Sequence, residues 1–247
     1  MTRIMTLVLS LCLWSGTLAE DPGKDSPQNE EARAVLAKAA EAAAAVKFIQ
    51  YQADYKGTDW IAQFVPAIEG NVVVGDQSKW NLDRFRSEIK IKAKDSDEVI
   101  ELTGGSDGEV FFLIDAKTRM VHEDMDPVVM GTHSRNFQRV VVSAFAAPKP
   151  FEEEQKAKSL ELKGTAEVGG VACDEIAITA ADGQRTIWYF AKSDHLPRRV
   201  VRIYTNDEGK EATTDLTLTS LVVNPRIENP FKAEVPPGFT KTDEFAP

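Results

Sequence analysis

Cysteine is scarce: the chain has two in 247 residues, and Cys12 falls in the N-terminal apolar stretch. Only Cys173 lies downstream, which excludes an intrachain disulfide and leaves the fold to stand on its core. Histidine is as thin, at three. None sits in an H-E-x-x-H spacing. His122-Glu123-Asp124 with Asp126 and His133 offers nitrogen and oxygen ligands but reads as a solvated acidic turn. His195 falls in the turn Ser193-Asp194-His195-Leu196-Pro197 and is expected to be exposed. No cofactor and no metal are implied. Positive charge is also short, with 29 Lys and Arg against 39 Asp and Glu. Removing Arg3 with a leader leaves 28 against 39, a balance of −11, which argues against nucleic acid or an anionic membrane surface as main partner. The one long apolar run, Ile4–Trp14, is too short to span a bilayer, so no transmembrane segment is expected in the mature chain.

That run is instead the core of a secretory signal. Arg3 precedes it, small residues follow at Thr17 and Ala19, and cleavage is expected before Glu20. Lipid attachment at Cys12 is disfavoured, because Leu11 stands where a small residue is needed and the apolar run continues past it. The expected location is the periplasm. Residues 1–19 are then the signal, 20–29 a polar linker and 30–247 one domain, large enough for a real core. The end at Ala246-Pro247 is abrupt and hints at a piece of something longer.

Glu30–Val46 is alanine-rich, with Val35, Leu36, Ala39, Ala42, Ala43 and Val46 at helical spacing, so it predicts a helix able to approach a sheet closely. Strands begin at Phe48. Arg84–Lys94 alternates strictly, charged at even positions and apolar or small at odd ones, as a half-exposed antiparallel strand requires. Val99–Thr103 and Glu109–Asp115 read as a hairpin joined by the loop Gly104–Gly108, and Met120–Glu123 as a short strand. Ser134–Phe145 changes to a helical period, with Ser134 as N-cap, although Val140-Val141-Val142 leaves a strand open. Phe151–Lys158 is a charged connection. Leu160–Val168, Val171–Thr179, Arg185–Ala191, Arg198–Tyr204 and Thr213–Val223 follow with short connections, which permit only an antiparallel meander. Thr186–Ala191 is apolar on both faces, so its sheet must be covered twice, or covered once and hollow on the other side. A Pro-rich irregular tail ends the chain, and no repeat of fixed period is present. The plan is α+β. About ten strands form a strongly curved antiparallel sheet, an incomplete β-barrel, covered by the N-terminal helix and a short helical insertion.

Several motifs in this order resemble the LolA-like fold family of periplasmic lipoprotein carriers. They are Glu69-Gly70-Asn71-Val72-Val73-Val74, Arg84-Phe85-Arg86 and Asp107-Gly108-Glu109-Val110-Phe111-Phe112 with Asp115. The second half resembles exported relatives through Gly170-Val171-Ala172-Cys173, Trp188, Leu196-Pro197-Arg198-Arg199, Asn229-Pro230-Phe231 and Pro236-Pro237-Gly238. The resemblance implies a half-open barrel whose apolar concavity holds a lipid or lipoprotein acyl chain, with no catalytic role. The alternative on the same fold is an envelope regulatory or scaffolding domain that binds a protein segment.

No catalytic set stands out. Gly104-Gly105-Ser106-Asp107-Gly108 matches G-x-S-x-G, but a strand follows it where a nucleophile elbow needs a helix. Cys173, inside an apolar strand, reads as a buried inert thiol. The candidate lining of an apolar cavity is Trp60, Phe64, Phe85, Phe111, Phe112, Trp188 and Phe190; an ordinary filled core is the competing reading. Arg198 and Arg202, on one face if the strand is regular, are candidate polar anchors for a lipid phosphate or a peptide carboxylate, with pairing to nearby carboxylates as the plainer role.

Overall fold

In a computed structural model, residues 27–75, 84–92, 98–123 and 131–242 are described. The signal segment, residues 20–26 of the linker, Asp124 and Asp126 lie outside the described residues, as do the side chains of His133 and Ser134.

The first helix, α1 (Pro27–Ala44), buries Ala32, Leu36, Ala39 and Ala43, an alanine-rich stripe at helical spacing. Six strands follow: β1 (Phe48–Gly57), β2 (Ala67–Gly75), β3 (Arg84–Lys92), β4 (Val99–Ser106), β5 (Phe111–Asp115) and β6 (Met120–Glu123). A crossover carries α2 (Gly131–Val140), a 3-10 turn at Ser143–Phe145 and the four-residue α3 (Glu152–Gln155). The second meander is β7 (Ser159–Val168), β8 (Val171–Thr179), β9 (Arg185–Ala191), β10 (Pro197–Thr205) and β11 (Glu211–Val223), and β12 (Thr240–Thr242) comes last. All twelve strands form one open sheet, ordered β12-β6-β5-β4-β3-β2-β1-β11-β10-β9-β8-β7. Each meander is antiparallel within itself, β1 and β11 join them, and only β12 runs parallel to its neighbour, β6.

Among the described residues twelve strands stand where about ten are expected. The tail is not wholly irregular: it adds β12 to the β6 edge. The hairpin loop is also shorter than expected, because Gly104 and Gly105 belong to β4 and the turn is Asp107–Val110. The insertion splits into a helix and a separate 3-10 turn rather than one helix to Phe145.

The sheet order dictates how the molecule is covered. β6 and β7 are consecutive strands near opposite edges, so the crossover must traverse a whole sheet face. It does so with Phe137, Val140, Val142, Phe145 and Phe151 buried beneath it. These join Leu113 of β5, Leu160 of β7 and Leu36 of α1 in one core. α1 packs at the β7 end, and the crossover covers the middle. Behind the sheet the tail runs back toward β6. Phe231 packs on Gly75 and Phe48, Arg86 donates to the Lys232 carbonyl, and Ala233 and Phe239 cover Phe112, Ile114 and Val121.

Both faces of β9 are accordingly covered. Trp188 and Phe190 enter the main core, while Tyr189 and Ala191 join Cys173, Val168 and Val201 in a smaller cluster behind. Cys173 is fully buried, and burial pushes its thiol above the ordinary range.

Candidate functional site

Antiparallel register places residues directly opposite one another on the same face. Trp188 of β9 faces Val200 of β10, Val200 faces Leu216 of β11, and Leu216 faces Tyr55 of β1. This four-strand row is the floor of a cavity of about 580 Å³. One step toward the sheet end, Arg202 pairs with Thr214 and both line the same cavity. The crossover supplies the roof: Arg139, Val141, Val142 and Ala144, then Phe151 through Glu154. The size lies in the range of small-molecule sites.

Phe151 fixes one wall. Its ring stands edge-on to both Trp188 and Phe190 at 5.3 Å, and those two stack at 5.8 Å. Trp188 is buried, and its Nε1–H has no partner among the described residues.

The polar end is electrically mixed. Glu152 and Glu153 are engaged by Lys156, and Glu152 also by Lys149. Burial pushes the Tyr55 hydroxyl above its ordinary value, opposed by its hydrogen bond with Thr214 and by the charges of Arg139 and Arg202. Glu154 is likewise pushed up by burial, against a bond from its own backbone amide and the Arg202 charge. The raised carboxyl makes ionisation unfavourable in the folded state. Stability from this group is complete below the unfolded value of 4.5 and is lost as pH rises through the folded one. Glu154→Gln should therefore melt higher than the parent at pH 7, with the difference vanishing near pH 4; parallel thermal melts at the two pH values check this.

Of the expected aromatic lining, Trp188 alone borders the cavity. Phe190 and Phe85 are buried in the filled core, and Phe111 packs against it. Phe112 points to the opposite face, under the tail. Trp60 and Phe64 sit on an outer 3-10 turn at Asp59–Gln63, where Phe64 is 68% exposed. The two arginines do not act together. A β-bulge at Arg198 breaks the alternation, and its guanidinium is bound to Asp194 at 2.5 Å and to the Leu196 and Pro197 carbonyls. Arg199, behind the sheet, holds Asp215 at 2.5 Å. Tyr55, Arg139, Phe151 and Leu216 belong to the cavity without having been expected there; the signal for Tyr55 and Leu216 is register, which appears only once the strands are paired, whereas Arg139 and Phe151 come from the crossover.

Other candidates resolve into structure. Ser106 is buried, its Oγ accepting from the Gly108 amide within the turn. His122 is buried in β6, Glu123 binds Lys241, and His195 is half-buried rather than exposed. Among the described residues no three His, Cys, Asp or Glu side chains are grouped to hold a metal, and no helix is long and apolar enough to cross a membrane.

A family model described as "Predicted periplasmic protein (DUF2092)" matches residues 83–243, which run from just before β3 to just past β12. The chain is a member of the DUF2092 family. As such it is a periplasmic protein. No curated protein matches the sequence of this DUF2092 member. Among solved structures, LprF from Mycobacterium bovis is 11% identical, with 85% of this chain and 100% of that one covered and a TM-score of 0.50. Lipoprotein LppX from Mycobacterium tuberculosis is 9% identical, covering 80% and 97%, with a TM-score of 0.49. A LolA superfamily protein from Nitrosomonas europaea is 11% identical, covering 82% and 97%, at 0.32. The likeness is one of fold: the DUF2092 chain has an open, antiparallel-rich sheet that is similar to LprF in fold.

Proposed function

We propose that this protein binds an apolar ligand, a lipid or lipoprotein acyl chain, in the cavity between the crossover and β1, β9, β10 and β11, and that it acts as a periplasmic carrier rather than an enzyme. The observation that carries this reading is the cavity's wall. Val141, Val142, Ala144, Phe151, Trp188, Val200 and Leu216 form the apolar part of the wall of a half-open cavity of about 580 Å³, whose remaining lining is polar and charged. Each methylene buried there contributes about 0.8 kcal/mol, so roughly ten carbons supply about 8 kcal/mol, the equivalent of micromolar affinity before association costs, and longer chains offset those costs. A wall of this kind fits a chain better than a compact polar substrate.

The exported full-length protein, stripped of lipid, should bind a fluorescent fatty-acid analogue saturably in the micromolar range. Displacement by phospholipid or by a triacylated peptide would identify the cargo class. A protein shown folded by circular dichroism that binds no chain would overturn the proposal. That outcome would favour the second reading, capture of a protein segment, to which the filled core beneath α2 and the exposed Val222, Val223 and Ile227 also lend support.

A further inference from the structure

We propose that Arg139 and Arg202 form an anion-binding head site at the mouth of this cavity, so that the favoured ligand is an apolar chain ending in a carboxylate or phosphate. The proposal rests on the cavity being the chain-binding site.

Arg202 projects from the floor and Arg139 from the roof, and both charges reach the Tyr55 hydroxyl, which is hydrogen-bonded with Thr214. Two guanidinium groups and two hydroxyls thus line the same cavity as the apolar wall of Val141, Val142, Trp188, Val200 and Leu216. Among the described residues neither arginine has an ion-pair partner. There Arg139 donates to Asn136 Oδ1, whereas Arg185, Arg198 and Arg199 each hold a carboxylate. Among the described residues, Arg202 is the one arginine of β9 and β10 without such a partner. This is unexpected in a chain with a net charge of −10, where carboxylates are abundant. An unpaired guanidinium beside an apolar cavity is suited to a planar or tetrahedral oxyanion, which it can hold with two parallel N–H bonds.

Glu154 lines the same cavity and opposes the site. Its carboxyl feels the Arg202 charge without closing an ion pair, and Glu152 and Glu153 are already engaged by lysines. Two free cations therefore face one carboxylate, itself pushed toward its neutral form by burial. An incoming anion meets a net positive mouth.

The test compares twelve-carbon chains with different heads: dodecanol, dodecanoate and dodecyl phosphate, with inorganic phosphate alone as a further arm. The parent should bind both anionic chains at least tenfold (about 1.4 kcal/mol) more tightly than the alcohol. Arg202→Gln and Arg139→Gln should each erase most of that preference by weakening the anionic chains far more than dodecanol, and Glu154→Gln should enlarge it. Raising salt should weaken the anions only. Equal binding of all three chains, or a preference that survives the double glutamine variant, overturns the head site and leaves the cavity reading standing. Inorganic phosphate binding as tightly as dodecyl phosphate would also overturn it, because the chain would then add nothing. Failure of every chain to bind removes the head site together with the cavity. Circular dichroism of each variant separates loss of the site from loss of the fold.

Discussion

Phe137→Ala should cost about 3–5 kcal/mol of folding free energy, the largest effect expected of any single substitution in this chain. Phe137 is fully buried, and its ring meets Phe85 at 6.4 Å between centroids. It is also the point at which α2 comes down onto the sheet. The ring lies where a side chain on Gly104 would be: a Cβ built there would stand 2.3 Å from Phe137 Cζ. The helix reaches this depth only because β4 has a hydrogen at that position. Removing the ring leaves a void that the rigid sheet below cannot close, and a cavity of that kind adds to the lost transfer energy. The reciprocal change, Gly104→Ala, forces the ring outward and should cost about 1–3 kcal/mol by overpacking. In the double variant the new methyl enters space already vacated, so its cost should fall well below the sum of the two. Urea unfolding of the three variants checks this. Simple additivity would show that ring and glycine do not share one site.

Gly104 also shows where reading by sequence fails. Two glycines followed by Ser-Asp-Gly are strong punctuation, and they predict a loop. In the fold the punctuation begins only at Asp107, whose Oδ1 accepts the Glu109 and Val110 amides. Gly104 and Gly105 are strand positions kept bare for Phe137 on one face and Phe112 on the other. Nothing local to β4 announces a helix arriving from thirty or so residues downstream. The five strands of the second half were legible almost to the residue for the opposite reason. Their turns are short, their alternation is local, and neighbours in sequence are neighbours in the sheet. β12 left no trace, since three residues paired in parallel with a distant strand carry no pattern of their own.

The cavity was legible in kind but not in membership. Aromatic residues on strands mark a covered sheet without saying which face is concave, because the crossover covers one face and the tail the other. Phe111 and Phe112 differ by one position and end on opposite sides. Alternation would also have placed Arg198 with Arg202, had a bulge not intervened. Once Trp188 is set inward, register delivers Val200, Leu216 and Tyr55 in turn. The roof, including Arg139, depends on how a long connection lies across the sheet, which no strand pattern encodes.

Tyr51→Phe should cost about 2–4 kcal/mol through two polar groups left unpaired in the core. Tyr51 is fully buried on β1, and its hydroxyl donates to the Val140 carbonyl at 2.9 Å while accepting the Val142 amide at 3.1 Å. These are the last residue of α2 and the second beyond it, where the helix stops before the 3-10 turn. A helix end leaves such groups without intrahelical partners, and Val140 and Val142 are both buried from solvent. One phenol therefore closes the break in the crossover and pins the cavity roof to the floor strand β1. Burial, partly offset by the Val142 amide, also lifts the Tyr51 hydroxyl well above its usual value of 10. With the folded value the higher, stability is complete below pH 10 and is lost as pH rises toward the folded value, where the unfolded chain can ionise and the native one cannot. Tyr51→Phe removes that linkage. The variant should start less stable at pH 7 and lose less on going to pH 11, so the two unfolding curves converge. A loosened roof should also speed release of a bound chain, read as a faster dissociation rate for the fluorescent fatty acid. A penalty below about 0.5 kcal/mol would mean that the hydroxyl's two bonds are replaced elsewhere and that the crossover does not depend on this anchor.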